Sequence, residues 1–308
     1  MMSTQILSKA EEKYILEGVS IELRSDGRGL DDLRALTIEN NIFPHVHGSS
    51  RLRIGLGTEI LCAVKMEVVP PLESRPEHGI IGINVDISPS CDRYIKIRND
   101  KRNEDATNLS DLLQSMYAES NAIDQGDLII VKGKYCWACY IDIIILKADC
   151  SLLDATSIAT YIALKCTRVP KTELIIGETG QLDDFEIIGD LADANALSCD
   201  HLPLVITSLK LGQKWLLDST WDELSCASSQ LAILIDESGN IRGLNKLLGG
   251  SLNRTDIPLV LDNTKKASER IFPELSKAIE SCANKANDGL YADVPPIRQG
   301  LLKPNPAL

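Results

Sequence analysis

Two cysteines three positions apart, Cys136 and Cys139, have the C-x-x-C spacing that supports thiol redox chemistry or zinc binding. They lie in the run YCWACYIDIIIL, whose aromatic and β-branched residues predict a strand. Residues three apart on a strand face opposite sides of the sheet, so the two thiols would not meet. A zinc site would also need a second pair at ligand spacing, which this sequence lacks. We therefore expect both thiols to be structural and the nine cysteines to be reduced.

The basic run RYIKIRNDKR, residues 93–102, is a candidate for contact with nucleic acid. It carries five cations against the single anion Asp100, and Tyr94 offers a ring on which a base could stack. The candidate RNA-binding residues are Arg93, Lys96, Arg98, Lys101 and Arg102. A solvated surface loop is the alternative interpretation of this composition. Weaker candidates, at alternating strand positions, are Arg51, Arg53 and Lys65.

Metal and cofactor signals are absent from the sequence. His45 and His47 are close together, but no acidic cluster stands at ligand spacing from them, so we expect a solvated loop. The sequence contains no Walker loop, G-x-G-x-x-G, G-x-S-x-G or H-E-x-x-H motif. We predict neither a metal nor a cofactor. Asp26, between Arg24 and Arg28, is expected to organise a turn and a local ion pair.

The elements that must position these residues follow from periodicity. The run IIGINVDIS, residues 80–88, alternates apolar and polar residues and predicts a half-buried antiparallel strand. Further strands are predicted over 202–211, 214–218 and 232–236. Helices are predicted over 5–18, 109–122, 152–166 and 256–282. This order of strands and helices predicts an α+β fold with two lobes of mixed or antiparallel sheet and packed helices.

A compositional break separates the two lobes. Residues 172–200 contain eight acidic residues and no lysine or arginine. The predicted organisation is an N-terminal helix and turn (1–29), a first lobe (30–171), an acidic connection (172–200), a second lobe with a C-terminal helix (201–287) and a flexible tail (288–308).

Composition limits the possible function classes. The chain has 308 residues, of which 44% are hydrophobic, which favours a globular protein over a disordered one. No apolar run reaches the roughly 20 residues that a membrane span needs, and no secretory signal is recognisable. We expect a soluble intracellular protein without a membrane partner. Its net charge of −12 means that nucleic acid would bind through a local basic cluster or with a partner's help.

Four stretches together resemble one known family. They are RSDGRG (24–29), GSSRLRIGLGTEILCAVKME (48–67), LLDATSIATYIAL (152–164) and LLDSTWDELSCASSQLAIL (216–234). Their order and spacing are similar to those of RNase PH-like proteins, and most similar to the non-catalytic exosome ring subunits of the ribosomal RNA-processing protein forty-two type. The resemblance covers roughly residues 8–285. It implies two RNase PH-like lobes, a hetero-hexameric ring with other RNase PH-like subunits, cap subunits and a central RNA channel, and residence in the nucleus, nucleolus and cytoplasm.

The resemblance also implies that the chain lacks catalytic residues. Active relatives bind phosphate with a Gly-Gly-Thr-Arg run after an aspartate, but here the Thr and Arg positions after Asp149 are Leu152 and Leu153. Active relatives hold a metal with two acidic residues six positions apart. Here the first is Asp218, but the second is Leu224. We predict that Asp218 is vestigial and structural, and that Glu223 could replace the missing acid only after a register shift.

Three hypotheses follow for the function. The leading one is a non-catalytic exosome ring subunit that scaffolds the assembly and guides RNA in 3′-to-5′ processing and degradation, with its basic run near the channel. The alternative is an active phosphate-dependent 3′-to-5′ exoribonuclease that uses Asp218 and Glu223. A third is a monomeric binding protein outside any ring, which would lack an exposed apolar interface.

Overall fold

The computed structural model describes residues 7–91, 99–119, 122–149, 151–176, 182–188, 194–199 and 201–287.

The N-terminal helix begins at a capping box. Helix α1 spans Lys9–Ser20. The Ser8 hydroxyl accepts a hydrogen bond from the Glu11 amide, and the Glu11 carboxylate accepts one from the Ser8 amide. The helix predicted from residue 5 therefore starts at Lys9, directly after its N-cap Ser8.

A six-stranded mixed sheet forms the first half of the chain. Its strands are β1 (Leu36–Asn40), β2 (Gly48–Ile54), β3 (Thr58–Val69), β4 (Ile80–Ile87), β5 (Ile129–Val131) and β6 (Tyr135–Lys147). The order across the sheet is β1-β2-β3-β6-β4, and β5 pairs with β6. Burial alternates along β2 and β3, so one face of the sheet packs into the core while the other faces water.

The strand predicted from IIGINVDIS is present as β4, but the prediction that it is antiparallel was wrong. β4 pairs with β6 in parallel, with Ile83 opposite Ile141. Helix α2 (Asn99–Glu119) lies between β4 and β6 in the chain and provides the crossover that parallel strands require. The helix also starts well before the predicted range of 109–122.

Helix α2 covers the outer edge of β4. The Gln114 side chain accepts a hydrogen bond from the Ile83 amide at 2.8 Å and donates one to the Ile81 carbonyl oxygen at 2.9 Å. The Ser110 hydroxyl donates to the Ile83 carbonyl oxygen at 2.6 Å. These side chains occupy backbone groups of Ile81 and Ile83 that a neighbouring strand would otherwise bind, so this part of the edge is closed to pairing with another chain.

Helix α3 (Leu152–Lys165) lies between the first sheet and the second and is buried along almost its whole length. Its Ala159 carbonyl oxygen accepts a hydrogen bond from the Ser50 hydroxyl at 2.7 Å. On the other side, the Val205 amide of the second sheet donates to the Ser157 hydroxyl at 2.9 Å. The helix predicted over 152–166 is confirmed, and its small residues allow both sheets to approach closely.

The acidic connection contains regular structure. Its strands are β8 (Lys171–Ile176, which begins one residue before it), β9 (Leu182–Ile188) and β10 (Asn195–Ala196), and β7 (Arg168–Val169) lies just ahead of it. β7 pairs with β10, while β8 and β9 form a separate antiparallel hairpin. The proposed boundaries of the two lobes stay a prediction, and the tail of residues 288–308 lies outside the described residues.

A four-stranded antiparallel sheet forms the second half, in the order β12-β11-β13-β14. Its elements are β11 (Leu204–Leu211), β12 (Lys214–Leu217), α4 (Trp221–Ser225), β13 (Ser229–Ile235), β14 (Ile241–Lys246) and α5 (Asp256–Asn287). One hydrophobic cluster runs from the first sheet through α3 into the second, which confirms an α+β fold. Among the helices described, none has both the length and the apolar character needed to cross a bilayer.

Candidate functional site

Asp218 is held in place by two arginines. It follows β12 in a left-handed backbone conformation, with φ of 45°, which non-glycine residues seldom adopt. Arg34 donates from Nη2 to Oδ1 at 2.6 Å and from its amide to Oδ2 at 2.7 Å, and Arg28 Nη1 donates to Oδ2 at 2.9 Å. Burial raises the pKa of Asp218, but the hydrogen bonds and charges of the two arginines outweigh it and hold the pKa below its ordinary value. Both carboxylate oxygens therefore carry protein donors.

Glu223, the candidate replacement for the missing acid, is also occupied. It lies in the first turn of α4, where its carboxylate accepts a hydrogen bond from the Thr220 amide at 2.7 Å in a capping box. Arg24 donates from Nε to Oε1 at 2.8 Å and from Nη2 to Oε2 at 2.6 Å. Both side chains of this ion pair are cut off from solvent. Glu223 thus has a structural role, and both of its carboxylate oxygens accept hydrogen bonds from the protein.

The RSDGRG turn supplies two of these arginines. Gly27 allows the turn through a positive φ of 80°. Arg28 donates from Nε to Asp26 Oδ2 at 2.7 Å, which confirms the predicted local ion pair. The turn therefore directs Arg24 towards Glu223 and Arg28 towards Asp218.

Leu224 packs into an apolar cluster. Its side chain contacts the cluster formed by Val19, Leu209, Leu211 and Leu216. The position six residues after Asp218 is thus part of the packing between α1 and the second sheet. Among the residues that the structure describes, no group of three metal-binding side chains occurs.

Leu152 and Leu153 belong to the main core. Each is only 1% exposed, in the first turn of α3. The N-cap Ser151 makes no capping hydrogen bond through its side chain, although its hydroxyl lies 3.0 Å from that of Thr207. This buried first turn, with its two leucines and Asp154, offers no cationic side chain to an inorganic phosphate.

Asp154 is a buried acid whose role the motif analysis missed. Its Oδ2 accepts a hydrogen bond from the Thr207 hydroxyl at 2.8 Å, whereas Oδ1 has no hydrogen-bond partner within the described part of the chain. Burial is the main cause that raises the pKa of Asp154 to about 8. It lines a small cavity of about 30 Å³ together with Arg34, Asp218 and mainly aliphatic side chains. Its signal in the sequence is that it is the one charged residue within 152–164.

The structure places two of the five candidate RNA-binding residues. Lys101 and Arg102 lie in the first turn of α2, both partly exposed, so they belong to a helix rather than to the predicted loop. The N-terminal end of a helix carries a partial positive charge, which favours a bound anion. An anion bound at the start of α2 would therefore be stabilised both by the helix dipole and by the two cationic side chains. Arg93, Lys96 and Arg98 lie outside the described residues.

The weaker RNA candidates are neutralised by neighbouring acids. Arg51 and Arg53 both form ion pairs with Glu59 across the β2–β3 pair. Lys65 pairs with Glu67 on the same strand. Their charges are therefore largely balanced within the sheet, which leaves little attraction for RNA phosphates.

Both cysteine candidates are buried, and of the two histidines His45 is exposed, as expected for a solvated loop, whereas His47 is partly buried. Cys136 and Cys139 are buried on β6, as predicted, and burial raises the pKa of Cys139 to about 12. The described cysteines form no disulfide with one another. His47 Nδ1 accepts a hydrogen bond from the Met66 amide at 3.1 Å, and burial together with the Lys65 charge lowers the pKa of His47.

Comparison with known proteins gives a family match and several relatives. Residues 32–170 match domain 1 of the 3′ exoribonuclease family, RNase PH. The exosome complex component Rrp42 of Thermococcus gammatolerans is 28% identical over 285 residues, which cover 92% of this chain and 100% of the relative. The similarity therefore extends through both halves of the chain, beyond the matched domain.

Solved structures have the same fold. The Archaeoglobus fulgidus exosome with RNA bound to the active site contains a chain with a TM-score of 0.71 and 27% identity, which covers 85% of this chain and 96% of that one. Rice Rrp46 has a TM-score of 0.56 at 18% identity and covers 83% of this chain and 100% of its own, a likeness that concerns the fold alone.

Proposed function

We propose that this chain, an RNase PH-like protein, is a non-catalytic subunit of an exosome core ring that scaffolds the assembly and guides RNA during 3′-to-5′ processing and degradation. Its partners are other RNase PH-like subunits in a hetero-hexameric ring, cap subunits and RNA. The similarity to Rrp42 over nearly the whole chain supports this assignment, as does the likeness to a chain of an RNA-containing exosome.

The state of the two carboxylates carries the non-catalytic part of the proposal. A metal that assists phosphorolysis needs free carboxylate oxygens. Asp218 is bound by Arg28 and Arg34, and Glu223 is bound by Arg24. The side chain of Leu224 has no oxygen that could bind a metal. The competing hypothesis, an exoribonuclease that uses Asp218 and Glu223, would require both ion pairs to break.

A phosphorolysis assay tests this proposal. The purified chain is incubated with an internally labelled oligoadenylate, Mg²⁺ and inorganic phosphate, with an active RNase PH-like enzyme as a positive control. We expect no release of nucleoside diphosphate from the chain alone. In a ring reconstituted with an active partner, Asp218→Asn in this chain should leave the rate of release unchanged. Release by the chain alone that disappears in Asp218→Asn would establish the exoribonuclease instead.

The cellular location forms part of the same proposal. A subunit that serves both ribosomal RNA processing and RNA degradation is expected in the nucleus, including the nucleolus, and in the cytoplasm. Fluorescence microscopy of the tagged chain tests this expectation. Confinement to any other compartment would contradict it.

A further inference from the structure

Within the described residues, the β8–β9 hairpin is hydrogen-bonded into neither main sheet. In the described part of the chain its two strands pair only with each other. Its Phe185 ring packs on Tyr135 at the start of β6, with the ring centroids 5.1 Å apart. Two-stranded hairpins are marginally stable in water unless a further surface packs on them. Contact with another protein would therefore stabilise this element.

Both faces of the hairpin expose aliphatic side chains. Leu174 and Ile187 are 44% and 50% exposed on the face that carries Phe185. Ile175 and Ile188 are 47% and 37% exposed on the opposite face. Single exposed aliphatics are common on protein surfaces, but a cluster within one short element marks a contact surface.

The face with Ile175 and Ile188 also holds two opposed negative charges. Glu173 and Glu186 are directly opposite each other in the strand register, and both are exposed. Like charges in directly opposed positions destabilise a strand pair. The sequence has no lysine or arginine between residues 172 and 200 that could neutralise them, although Lys171 is exposed at the end of the same face.

We propose that this acidic aliphatic face, formed by Glu173, Ile175, Glu186 and Ile188, docks on a neighbouring RNase PH-like subunit at an apolar patch ringed by lysine or arginine. The inference rests on the proposed ring function and assigns a partner surface to it. Cations of the partner would relieve the repulsion between the glutamates, and its apolar patch would remove the isoleucines from water. RNA is disfavoured as the occupant because it is itself an anion, and a second copy is disfavoured because the two faces would repel each other.

Binding measurements with the purified neighbouring subunits of the ring test the inference. Glu173→Lys/Glu186→Lys should weaken binding about tenfold or more and reverse its salt dependence. Ile175→Ser/Ile188→Ser should weaken binding to a similar extent while its salt dependence is kept. The matched control is Glu269→Lys/Glu280→Lys, which makes the same charge change at exposed positions on α5 and should bind within about twofold of wild type.

A single substitution separates docking from hairpin stability. Glu173→Lys places opposite charges across the strand pair. The variant should therefore melt at a temperature no lower than that of wild type. If the face docks on a neighbouring subunit, Glu173→Lys should still weaken binding to that subunit. If wild type binds the neighbours and the hairpin variants bind equally well, the docking inference is wrong while the ring function stands. If the variants lose self-association or RNA binding but still bind the neighbouring subunits, the assigned partner is wrong. If wild type binds no ring subunit, the proposed function itself fails.

Discussion

Arg24 and Glu223 stand 199 positions apart in the chain and form a bidentate ion pair with both side chains cut off from solvent. The same guanidinium donates to the carbonyl oxygens of Leu217 and Asp218 at 2.9 and 2.8 Å. One arginine therefore ties the N-terminal turn to α4 and to the end of β12. The pair fixes the backbone from which the Asp218 side chain projects.

Arg24→Ala is expected to destabilise the fold by about 3–5 kcal/mol, because it leaves the Glu223 carboxylate buried without a counter-charge. Urea denaturation followed by circular dichroism measures this destabilisation. Lys214→Ala, which breaks the exposed pair with Glu22, is the control and should destabilise the fold far less, because water screens this pair. Equal destabilisation in the two variants would show that the buried pair does not hold this region together.

Rebuilding the phosphate-binding residues is expected to damage the fold rather than restore activity. Leu152→Thr/Leu153→Arg places a hydroxyl and a cation in a first turn that is almost fully buried. An unpaired buried arginine should cost about 3 kcal/mol or more. Leu259→Arg, at a half-exposed position on α5, is the matched control and should change stability by about 0.5 kcal/mol. A double variant that melts like wild type and releases nucleoside diphosphate would contradict the prediction.

Local patterns predicted the elements well where the periodicity was strong. α3 was predictable because a long run of small and apolar residues suits a helix that is buried between sheets. The alternation in β4 predicted a strand and its buried face, but not the direction of its partner. That direction depends on the crossover through α2, which joins two strands that are distant in the chain.

The candidate site was less predictable, because its contacts join distant residues. The pair between Asp26 and Arg28 is local and could be predicted from the turn. The bonds from Arg34 to Asp218 bridge 184 positions, which no spacing motif encodes. The burial of Asp154 was equally unpredictable from the sequence, because it arises only when α3 and the second sheet pack together.

Asp154 is expected to make stability depend on pH. Burial raises its pKa from 3.8 to about 8, so the folded protein holds this proton more tightly than the unfolded chain does. The resulting stabilisation is complete below about pH 4 and disappears as the pH rises towards 8. Asp154→Asn does not show this decrease, so its stability relative to wild type should increase with pH over this range, by up to about 1.4 kcal/mol per unit.

Urea denaturation of both proteins at several pH values measures this difference. Asp142→Asn, at an exposed position on β6, is the control for removal of a carboxylate that is not buried. A constant difference between Asp154→Asn and wild type would show that Asp154 keeps an ordinary pKa in the folded chain.

RNA affinity of the reconstituted ring is expected to depend on the basic residues at the start of α2. Lys101→Gln/Arg102→Gln should weaken binding of single-stranded RNA. The negative slope of log K against log salt should decrease in magnitude by about 0.7 for each RNA phosphate that is no longer neutralised. Arg51→Gln/Arg53→Gln removes the same charge from side chains already paired with Glu59, so its slope should equal that of wild type. Equal slopes in all three rings would mean that the start of α2 does not touch RNA, whereas a reduced slope in the control alone would move the RNA-binding surface to the β2–β3 pair.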